Sequence, residues 1–477
     1  MQSTARTPQI YRAALAATLA VLLGGATRCS YRGHDVGGST SSAQITSGPL
    51  SRFGSEFING VEFQTGTAAL ALDGDTVLET QLRVGQIATI TGAVAGATGT
   101  ATRVDVTNKL VGPVTGVDLA AGTVTVLGQT IRLRGDTSVG PGVAPTDVGG
   151  LLLGQVVAVD GYRTSDGLIA TRFDRLAVTS AYRASGRVSN LLGSQQTFML
   201  AGTIVDWSGV SGALPASVAN GSYVIASGST LGGLTTLRAT SVRAVDELAR
   251  GANGAPGSVH GAITRYGSAT DFDVAGQPIS VGAAPTYLNG GSGDLALDVE
   301  LEATGNYDSA GALAASTVDV RPVPQVRVVG SVDAVDSTVK SLSIAGITLS
   351  TNARTRWDDR SAAALRTFDF GDLRSGDWVE VRGVAGVNAA ATVDVLERRV
   401  APSTPLVELQ DVPAAIADPA FTLTGIAVDT RAATFADVTG HALTRASFFN
   451  AVAGKRVRVR GTLAGVTLNA QTVVLRE

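Results

Sequence analysis

The feature that most constrains this sequence is a short pattern that occurs six times: a glycine, six residues of alternating character and a second glycine. The copies are GQIATITG (85–92), GQVVAVDG (154–161), GSYVIASG (221–228), DVELEATG (298–305), GDWVEVRG (376–383) and GKRVRVRG (454–461). Only Asp298 departs from the glycine pair. Alternation of apolar and polar residues between glycines is typical of a β-strand. Six such strands at regular spacing indicate a chain of tandem units.

Two further landmarks move with this pattern. After each copy comes an alanine followed three residues later by an apolar residue: Ala101 and Val104, Ala170 and Phe173, Ala239 and Val242, Ala315 and Val318, Ala390 and Val393, Ala470 and Val473. Before each copy stands a glycine with alternating apolar residues on both sides: Gly60, Gly128, Gly202, Gly276, Gly346 and Gly425. A glycine between two short strands predicts a tight turn or a bulge. The landmarks together predict six units of about 70 residues.

The unit boundaries follow from these landmarks. At 477 residues the chain is too long for one ordinary core, and its 58 glycines and 5% aromatic residues favour strands and tight turns. We predict an export signal (1–29), a flexible linker (30–45), unit 1 (46–108), unit 2 (109–180), unit 3 (181–247), a linker (248–256), unit 4 (257–323), unit 5 (324–401) and unit 6 (402–477). The stretch ELARGANGAPGS (247–258) lacks a periodic apolar face, so we expect the loosest joint there.

Each unit is expected to contain five strands, with an insert between the third and fourth. In unit 6 the insert HALTRASFFNAVAG places Leu443, Phe448 and Val452 at helix-like spacing before Gly454, which can end a helix. Three strands, a short helix or loop and two strands is the order of an oligonucleotide- and oligosaccharide-binding (OB) barrel. The predicted fold class is all-β, with six tandem small five-stranded OB-like β-barrel repeats.

The N-terminal segment has the layout of an export signal. A short basic region precedes an apolar run from Ala13 to Leu23, and small residues follow it. The run is too short to span a bilayer as a stable helix. Cys29, the only cysteine, stands where a bacterial lipoprotein carries its acylated thiol. Ordinary cleavage after Ala26 is the alternative. Both readings predict an exported protein, in the periplasm or anchored at the outer membrane by lipid.

The chain resembles a known family. The stretches VGSVDAVDSTVKSLSIAGITLS, GDLRSGDWVEVRGV and GKRVRVRGTLAGVTLNAQTVVLRE of units 5 and 6 look like the DUF5666 repeat proteins of bacterial envelopes. Units 1 and 2 match the pattern well, and units 3 and 4 match it loosely. Family members often begin with a lipoprotein signal followed by glycines, whereas SYRGHDVGGSTSS follows Cys29 here. The resemblance implies a fold and a location. It carries no catalytic residues.

A search for catalytic and metal-binding patterns is mostly negative. The three histidines, His34, His260 and His441, lie in different parts of the chain, and their spacing suggests neither a zinc cluster nor a histidine triad. The acidic turns DGDT (73–76) and WDD (357–359) each offer two oxygens to a cation. Short acidic turns ordinarily bond their own backbone, so we predict no metal site and no cofactor.

Residues on the strands are the better binding candidates. In GKRVRVRG, Val457 and Val459 face one way, and the other face carries three arginines that suit a polyanion: Arg456, Arg458 and Arg460. The alternative is an ordinary solvated face. Trp207 and Trp357 stand beside aspartates at strand ends and are candidates for stacking on a sugar or a base. The phenylalanines of strands two and three are expected in the core: Phe57, Phe63, Phe198, Phe272 and Phe421.

The stretch GDLRSGDWVEVRG (371–383) raises a separate question, because Asp377, Glu380 and Arg382 resemble a catalytic grouping. The corresponding positions of the other copies hold different residues, such as Gln86 and Lys455. Chemistry common to all units cannot depend on positions that vary in this way. We therefore interpret the stretch as the fourth strand of a barrel.

Three functions remain open. The first is a non-catalytic envelope protein whose units bind an unknown protein or glycan or act as a spacer, with membrane contact only through a lipid anchor. The second is a binder of single-stranded nucleic acid or acidic glycan through the arginines of unit 6. A formal net charge of −3 makes nucleic acid the weaker partner. The third is an enzyme without a recognisable motif.

Overall fold

The computed structural model describes residues 43–107, 109–140, 143, 148–177, 181–246, 251–386 and 390–476. These residues are nearly all in strands and turns, which confirms the all-β prediction. Among them, no helix is long and apolar enough to cross a membrane. The predicted export signal, including Cys29, lies outside the described residues.

The strands of the first three units are numbered along the chain. Unit 1 contains β1 (Gln44–Pro49), β2 (Glu56–Ile58), β3 (Val61–Gln64), β4 (Ala69–Leu72), β5 (Asp75–Thr76), β6 (Ile87–Ala95) and β7 (Thr98–Val106). Unit 2 contains β8 (Leu110–Asp118), β9 (Thr123–Val126), β10 (Gln129–Val139), β11 (Val156–Thr164) and β12 (Gly167–Arg175). Unit 3 contains β13 (Tyr182–Leu192), β14 (Thr197–Leu200), β15 (Thr203–Asp206), β16 (Tyr223–Gly228), β17 (Thr230–Leu231), β18 (Thr236–Arg238) and β19 (Ser241–Ala244).

The last three units continue the numbering. Unit 4 contains β20 (Pro256–Ser268), β21 (Asp271–Val274), β22 (Gln277–Leu288), β23 (Glu300–Tyr307) and β24 (Leu313–Arg321). Unit 5 contains β25 (Val326–Ser331), β26 (Ala334–Asp336), β27 (Ser341–Ile344), β28 (Ile347–Ser350), β29 (Arg356–Arg360), β30 (Trp378–Ala385) and β31 (Ala390–Arg399). Unit 6 contains β32 (Val407–Asp411), β33 (Ala414–Ala417), β34 (Ala420–Leu423), β35 (Ile426–Asp429), β36 (Thr434–Asp437), β37 (Ala442–Leu443), β38 (Val457–Ala464) and β39 (Thr467–Leu475).

Units 2 and 4 are closed five-stranded barrels. In unit 2 the strands pair in the ring β8–β9–β10–β12–β11 and back to β8. In unit 4 the ring is β20–β21–β22–β24–β23 and back to β20. In both rings the third and fifth strands are parallel, and the other neighbours are antiparallel. The long first strand closes each ring because it pairs with both the second and the fourth strand.

The remaining units have the same pairing order with interruptions. In unit 3 the fourth and fifth strands are each broken in two, as β16 with β17 and β18 with β19. In units 5 and 6 the first strand is broken, as β25 with β26 and β32 with β33. In unit 1 the ladder runs from β2 through β3, β7 and β6 to β1. Each of these units keeps the parallel pair of third and fifth strands.

The glycine between strands two and three forms the predicted tight turn in every unit. These glycines have φ values from +80° to +102°: Gly60, Gly128, Gly202, Gly276, Gly346 and Gly425. The residue before each of them also has a positive φ, between +47° and +55°. Two successive positive φ values define a type I′ turn, whose twist matches that of a hairpin. A glycine in this position therefore fixes the register of the hairpin.

In five units the second glycine of the six-residue pattern lies at a bulge-like irregularity in the pairing of the fourth with the fifth strand, and in unit 3 it ends β16. A Cβ on any of these glycines would overlap a carbonyl oxygen of the fifth strand: Gly92, Gly161, Gly228, Gly305, Gly383 and Gly461. The residue after that carbonyl is the landmark alanine in five units. In unit 5 it is Val393, so the sequence-based assignment of Ala390 to this position is wrong. Ala390 and Val393 are three residues apart, and so are Val393 and Leu396. Only the pairing of β31 with β30 shows which of these pairs occupies the landmark positions.

First strands join the units in pairs, which produces three large sheets. β8 pairs with β13 and β25 pairs with β32, both antiparallel, so units 2 and 3 share a sheet, as do units 5 and 6. β1 pairs with β20 in parallel and joins unit 1 to unit 4. Units 1 and 4 are far apart in the sequence, so the units are not arranged in a simple row.

The barrel interiors hold the apolar residues that the pattern predicts. The phenylalanines of strands two and three are at most 7% exposed, which confirms them as core residues: Phe57, Phe63, Phe198, Phe272 and Phe421. The core of unit 5 is continuous with that of unit 6, and the core of unit 2 with that of unit 3. Each of these two pairs of units therefore shares apolar packing as well as a sheet.

The only α-helix among the described residues, α1 (Arg445–Ala451), lies in the insert of unit 6. Thr444 caps its N-terminus by accepting from the backbone N–H of Ser447. Phe448 and the C-terminal Val452 are buried, as the spacing predicts. Leu443 instead lies in strand β37, before the helix begins. The inserts of units 1, 4 and 5 contain single 3₁₀ turns: Glu79–Gln81, Ser292–Asp294 and Phe370–Asp372.

The described part of the predicted linker is held in place. The Gly254 backbone N–H donates to the Tyr307 carbonyl at 2.7 Å, and the Tyr307 N–H donates to the Ala255 carbonyl at 2.8 Å. The Tyr307 ring packs directly on Gly251, where a Cβ atom would overlap the ring. Residues 251–256 therefore pack on unit 4 through Tyr307, a contact that the small residues of this stretch do not reveal in the sequence.

Candidate functional site

The arginine face of unit 6 is partly used inside the protein. Val457 and Val459 are fully buried and the arginines alternate with them, as predicted. Arg458 lies with its Nε 3.2 Å from both Glu408 Oε1 and Gln410 Oε1, on the neighbouring strand β32. Arg456 is half-buried, and Arg460 is exposed. A continuous stripe for a polyanion is therefore interrupted, because its central guanidinium is already paired with a carboxylate.

The two candidate stacking residues differ in their surroundings. Trp357 is only 4% exposed and packs edge to face against Phe368 and Phe370, with ring centroids 5.7 Å and 6.2 Å away. The interpretation of Trp357 as a stacking residue is wrong, because the insert of unit 5 covers its ring. Trp207 is half-buried and packs against the core shared by units 2 and 3. It offers a ligand only part of its ring.

Glu380 and Arg382 are buried at the centre of a charged cluster. Glu380 Oε2 lies 2.7 Å from Arg327 Nη2 and 2.9 Å from Arg399 Nη1, and Arg382 Nη2 donates to Glu397 Oε1 at 2.6 Å. Burial opposes ionisation of Glu380, but the surrounding guanidinium groups hold its pKa well below the usual range. In unit 5 the position of Glu380 belongs to a cluster that contacts another unit, so its residue differs from those at the corresponding positions of the other units. The pattern of the fourth strand does not reveal this role.

Arg382 connects this cluster to another barrel. Its Nη1 donates to the backbone carbonyl oxygens of Gly135, at 3.0 Å, and Thr137, both on β10 of unit 2. The side chain is only 1% exposed. Guanidinium groups suit such a place because they can bind a carboxylate and a carbonyl at the same time. The cluster therefore joins unit 5 to unit 2.

A second buried cluster lies where units 2, 4 and 5 meet. Arg134 of unit 2 pairs with Asp136 in its own strand and with Glu300 of unit 4. His260 Nε2 lies 2.9 Å from Glu300 Oε1. Arg356 of unit 5 has its Nη2 3.5 Å from Asp136 Oδ2. Burial opposes ionisation of Glu300, yet Arg134 and His260 hold its pKa well below the usual range. Three units thus share one set of charges.

Asp394 of unit 5 borders the same junction and differs from the other carboxyl groups. Its Oδ2 is buried and accepts no hydrogen bond from any residue that the structure describes. Burial raises the pKa of Asp394 to about 7, with Arg356 opposing this and the charges of Asp136 and Glu300 adding to it. This carboxyl therefore carries a proton well above the pH at which an exposed aspartate loses it.

Further ion pairs hold the remaining joints. Asp298, the residue that replaces the first glycine of the pattern in unit 4, keeps the left-handed φ of +69° and accepts from Arg132 of unit 2 at 2.6 Å. Arg354 of unit 5 pairs with Glu302 and Asp319 of unit 4, at 2.9 Å and 3.0 Å. The departure from the pattern at Asp298 thus has a structural reason, since the new carboxylate binds a neighbouring barrel.

The acidic turns bond protein groups. Asp73 pairs with Arg183 of unit 3. Asp359 accepts from the backbone N–H groups of Ser361, at 3.0 Å, and Leu365, at 2.7 Å, and pairs with Arg398. In the part of the chain that the structure describes, no group of three or more His, Cys, Asp or Glu residues could hold a metal ion. The charged groups of these turns serve the joints between strands and units.

Comparison with known proteins identifies the repeated domain. The family model described as "Domain of unknown function (DUF5666)" matches residues 111–173, 260–319 and 329–392. These matches lie in the closed barrels of units 2 and 4 and in unit 5. No curated protein matches the chain. The chain is a repeat protein that contains DUF5666 domains.

Proposed function

We propose that this chain is a non-catalytic, exported cell-envelope protein in which six OB-like barrel units form one rigid scaffold for binding. The order of five strands, with the third parallel to the fifth, supports an OB-like unit in each of the six ranges. The N-terminal apolar run and Cys29 support export, with a lipid anchor at the outer membrane.

The observation that carries the scaffold proposal is the burial of charged groups between units that are distant in the sequence. Arg382 of unit 5 binds unit 2, Glu300 of unit 4 binds Arg134 of unit 2, and Asp73 of unit 1 binds Arg183 of unit 3. In a linear spacer each unit would contact only its neighbours along the chain. Contacts between distant units favour a scaffold with fixed surfaces over a flexible spacer.

The same contacts favour binding over catalysis. The most concentrated charged groups, around Glu380 and Glu300, are buried and paired with arginines from several strands. A catalytic acid or base needs access to its substrate, which such places do not offer. Nucleic acid is the less favoured partner because Arg458 is paired with Glu408 and the net charge is −3. We propose a protein or glycan of the envelope as the partner, without a cofactor.

Mass spectrometry of the native N-terminus tests the location. We expect the protein in the membrane fraction, with a diacylglyceryl group on Cys29 as its first residue. The Cys29→Ala variant, which keeps the apolar run, should leave the membrane fraction. A mature chain that begins at Thr27 would support export without an anchor. A chain that keeps Met1 and stays in the cytosol would contradict the proposal.

A further inference from the structure

A groove of about 510 Å³ opens on unit 6, away from the joints between barrels. Its volume lies within the range of about 300–1,000 Å³ that is typical of small-molecule sites. The loop after β35, the hairpin of β36 and β37, and the start of α1 form its walls. The residues that line it include Asp418, Arg431, Thr434, Phe435, Leu443 and Arg445.

Two arginines line the groove, and each is paired with a carboxylate. Arg445 Nε lies 3.0 Å from Asp418 Oδ1. Arg431 Nε donates to both oxygens of Asp429, at 3.0 Å and 2.9 Å, and this contact lowers the pKa of Asp429 to about 2. Arg431 and Arg445 are largely exposed, so their remaining N–H groups can reach a ligand. The groove therefore presents hydrogen-bond donors and acceptors with little net charge.

Apolar side chains complete the groove. Phe435 is nearly buried under it and packs against Phe448 with a centroid distance of 4.9 Å. Leu443 is half-buried, and Ala433 lies beside it on the wall. A groove with an apolar base and paired planar polar groups on its rim matches a sugar, because a pyranose ring has apolar C–H faces and hydroxyl groups at its edge.

The corresponding part of unit 5 is in contact with unit 1. Phe435 lies opposite Val473 of the fifth strand, as Trp357 lies opposite Leu396 in unit 5. The Trp357 backbone N–H donates to the Ser51 carbonyl of unit 1 at 2.8 Å, and the Arg366 guanidinium of the insert donates to the Leu82 carbonyl of unit 1 at 3.1 Å. On unit 6 the rim residues Arg431, Thr434 and Arg445 are exposed instead. The surface around Phe435 of unit 6 is therefore accessible to a ligand, whereas the corresponding surface of unit 5 contacts unit 1.

We propose that this groove binds a neutral oligosaccharide. Paired arginines favour hydroxyl groups over anions, because Asp418 and Asp429 already neutralise the two guanidinium groups. The proposal rests on the proposed binding role and gives it a site and a ligand class. It uses residues other than the arginine face of β38.

Calorimetric titration of the full mature chain tests the proposal. The probes are chitotetraose, cellotetraose and maltotetraose, with an acidic tetragalacturonate for comparison. We expect at least one neutral probe to bind with a Kd of about 0.1–1 mM and more tightly than the acidic probe. Arg431→Ala and Arg445→Ala should each weaken this binding about tenfold. The matched Arg460→Ala variant removes an exposed arginine that does not line the groove, and it should bind like the native protein.

A bulky residue in the groove provides a second test that leaves the ion pairs intact. Thr434 is exposed on the rim, so Thr434→Trp should abolish binding while the melting temperature stays unchanged. Thr462→Trp, at an exposed threonine of β38 outside the groove, is the control. The proposal is wrong if no neutral probe binds at about 5 mM, or if the groove variants bind as well as their controls. Such a result would leave the envelope location untouched, which the N-terminal analysis decides separately.

Discussion

Arg382 shows how a single side chain joins two barrels. It is buried between Glu380 and Glu397 of its own unit and donates to backbone carbonyl oxygens of unit 2. Burying a charge is costly unless partners surround it. Removing any one partner would leave a buried charge uncompensated. We therefore expect the contact between units 5 and 2 to be sensitive to substitution of Arg382.

Replacing Arg382 with methionine should destabilise the protein by about 3–5 kcal/mol, because Glu397 and Glu380 would lose a buried counter-charge. The midpoint of denaturant unfolding measures the effect. Lys455→Met, at an exposed cation of unit 6, is the control and should change stability by less than about 0.5 kcal/mol. Equal midpoints for the two variants would show that the network around Arg382 does not hold the units together.

Asp394 predicts a dependence of stability on pH. Burial raises its folded-state pKa to about 7, above the value of about 4 expected in the unfolded chain. Between these values the folded state holds a proton that the unfolded state has released, so the stability contributed by this carboxyl falls as pH rises from about 4 to 7. Asp394→Asn removes the titration.

The stability of Asp394→Asn relative to the native protein should therefore increase over that pH range, by a few kcal/mol in total, and level off above about pH 7. Denaturant unfolding at pH 4, 5.5, 7 and 8 measures this difference. Asp308→Asn, at a half-buried aspartate in a turn of unit 4, provides the comparison. A difference for Asp394→Asn that does not change with pH would contradict a raised pKa.

At the scale of elements, glycines fix the geometry of each unit. The turn glycine sets the hairpin of strands two and three, and the second glycine of the repeated pattern allows the fourth strand to approach the fifth closely. Both roles depend on the missing Cβ, although for different reasons. The first needs a positive φ, and the second needs room beside a carbonyl oxygen.

Gly161→Ala should therefore destabilise unit 2 by about 2–4 kcal/mol, because the new Cβ would overlap the Ile169 carbonyl oxygen. Gly150→Ala is the matched control in the same unit, since no described residue lies within 4 Å of its Cβ position and its φ is not in the left-handed region. It should change stability by less than about 1 kcal/mol. Thermal unfolding of both variants measures the difference. Similar melting temperatures would show that the bulge can absorb a side chain.

These local features are also the ones that could be predicted from the sequence. A turn or a bulge is determined by a few adjacent residues, so the glycines and the core phenylalanines were recognisable from spacing. The roles of Trp357 and Glu380 were not, because each depends on a surface that folding brings against it. The register error at Ala390 has a similar cause, since only pairing with β30 distinguishes it from Val393.

At the scale of the whole molecule, the arrangement of the units is the least predictable feature. The pairing of β1 with β20 joins units 1 and 4, which are separated in the sequence by units 2 and 3. No local pattern encodes such a contact, because it depends on the complementary surfaces of folded units. Charged residues that depart from the repeated pattern, such as Asp298 and Arg382, nevertheless lie at these joints. Departures from a repeat can therefore indicate where the units meet.

Small-angle X-ray scattering of the mature chain in solution tests the central claim that the units form one interlocked scaffold. A compact protein of about 450 residues has a radius of gyration of about 22 Å, so we expect a value of about 22–27 Å and a single-peaked distance distribution. Six barrels on flexible joints would give a value above about 35 Å and a distribution with a long tail. That second result would contradict the scaffold.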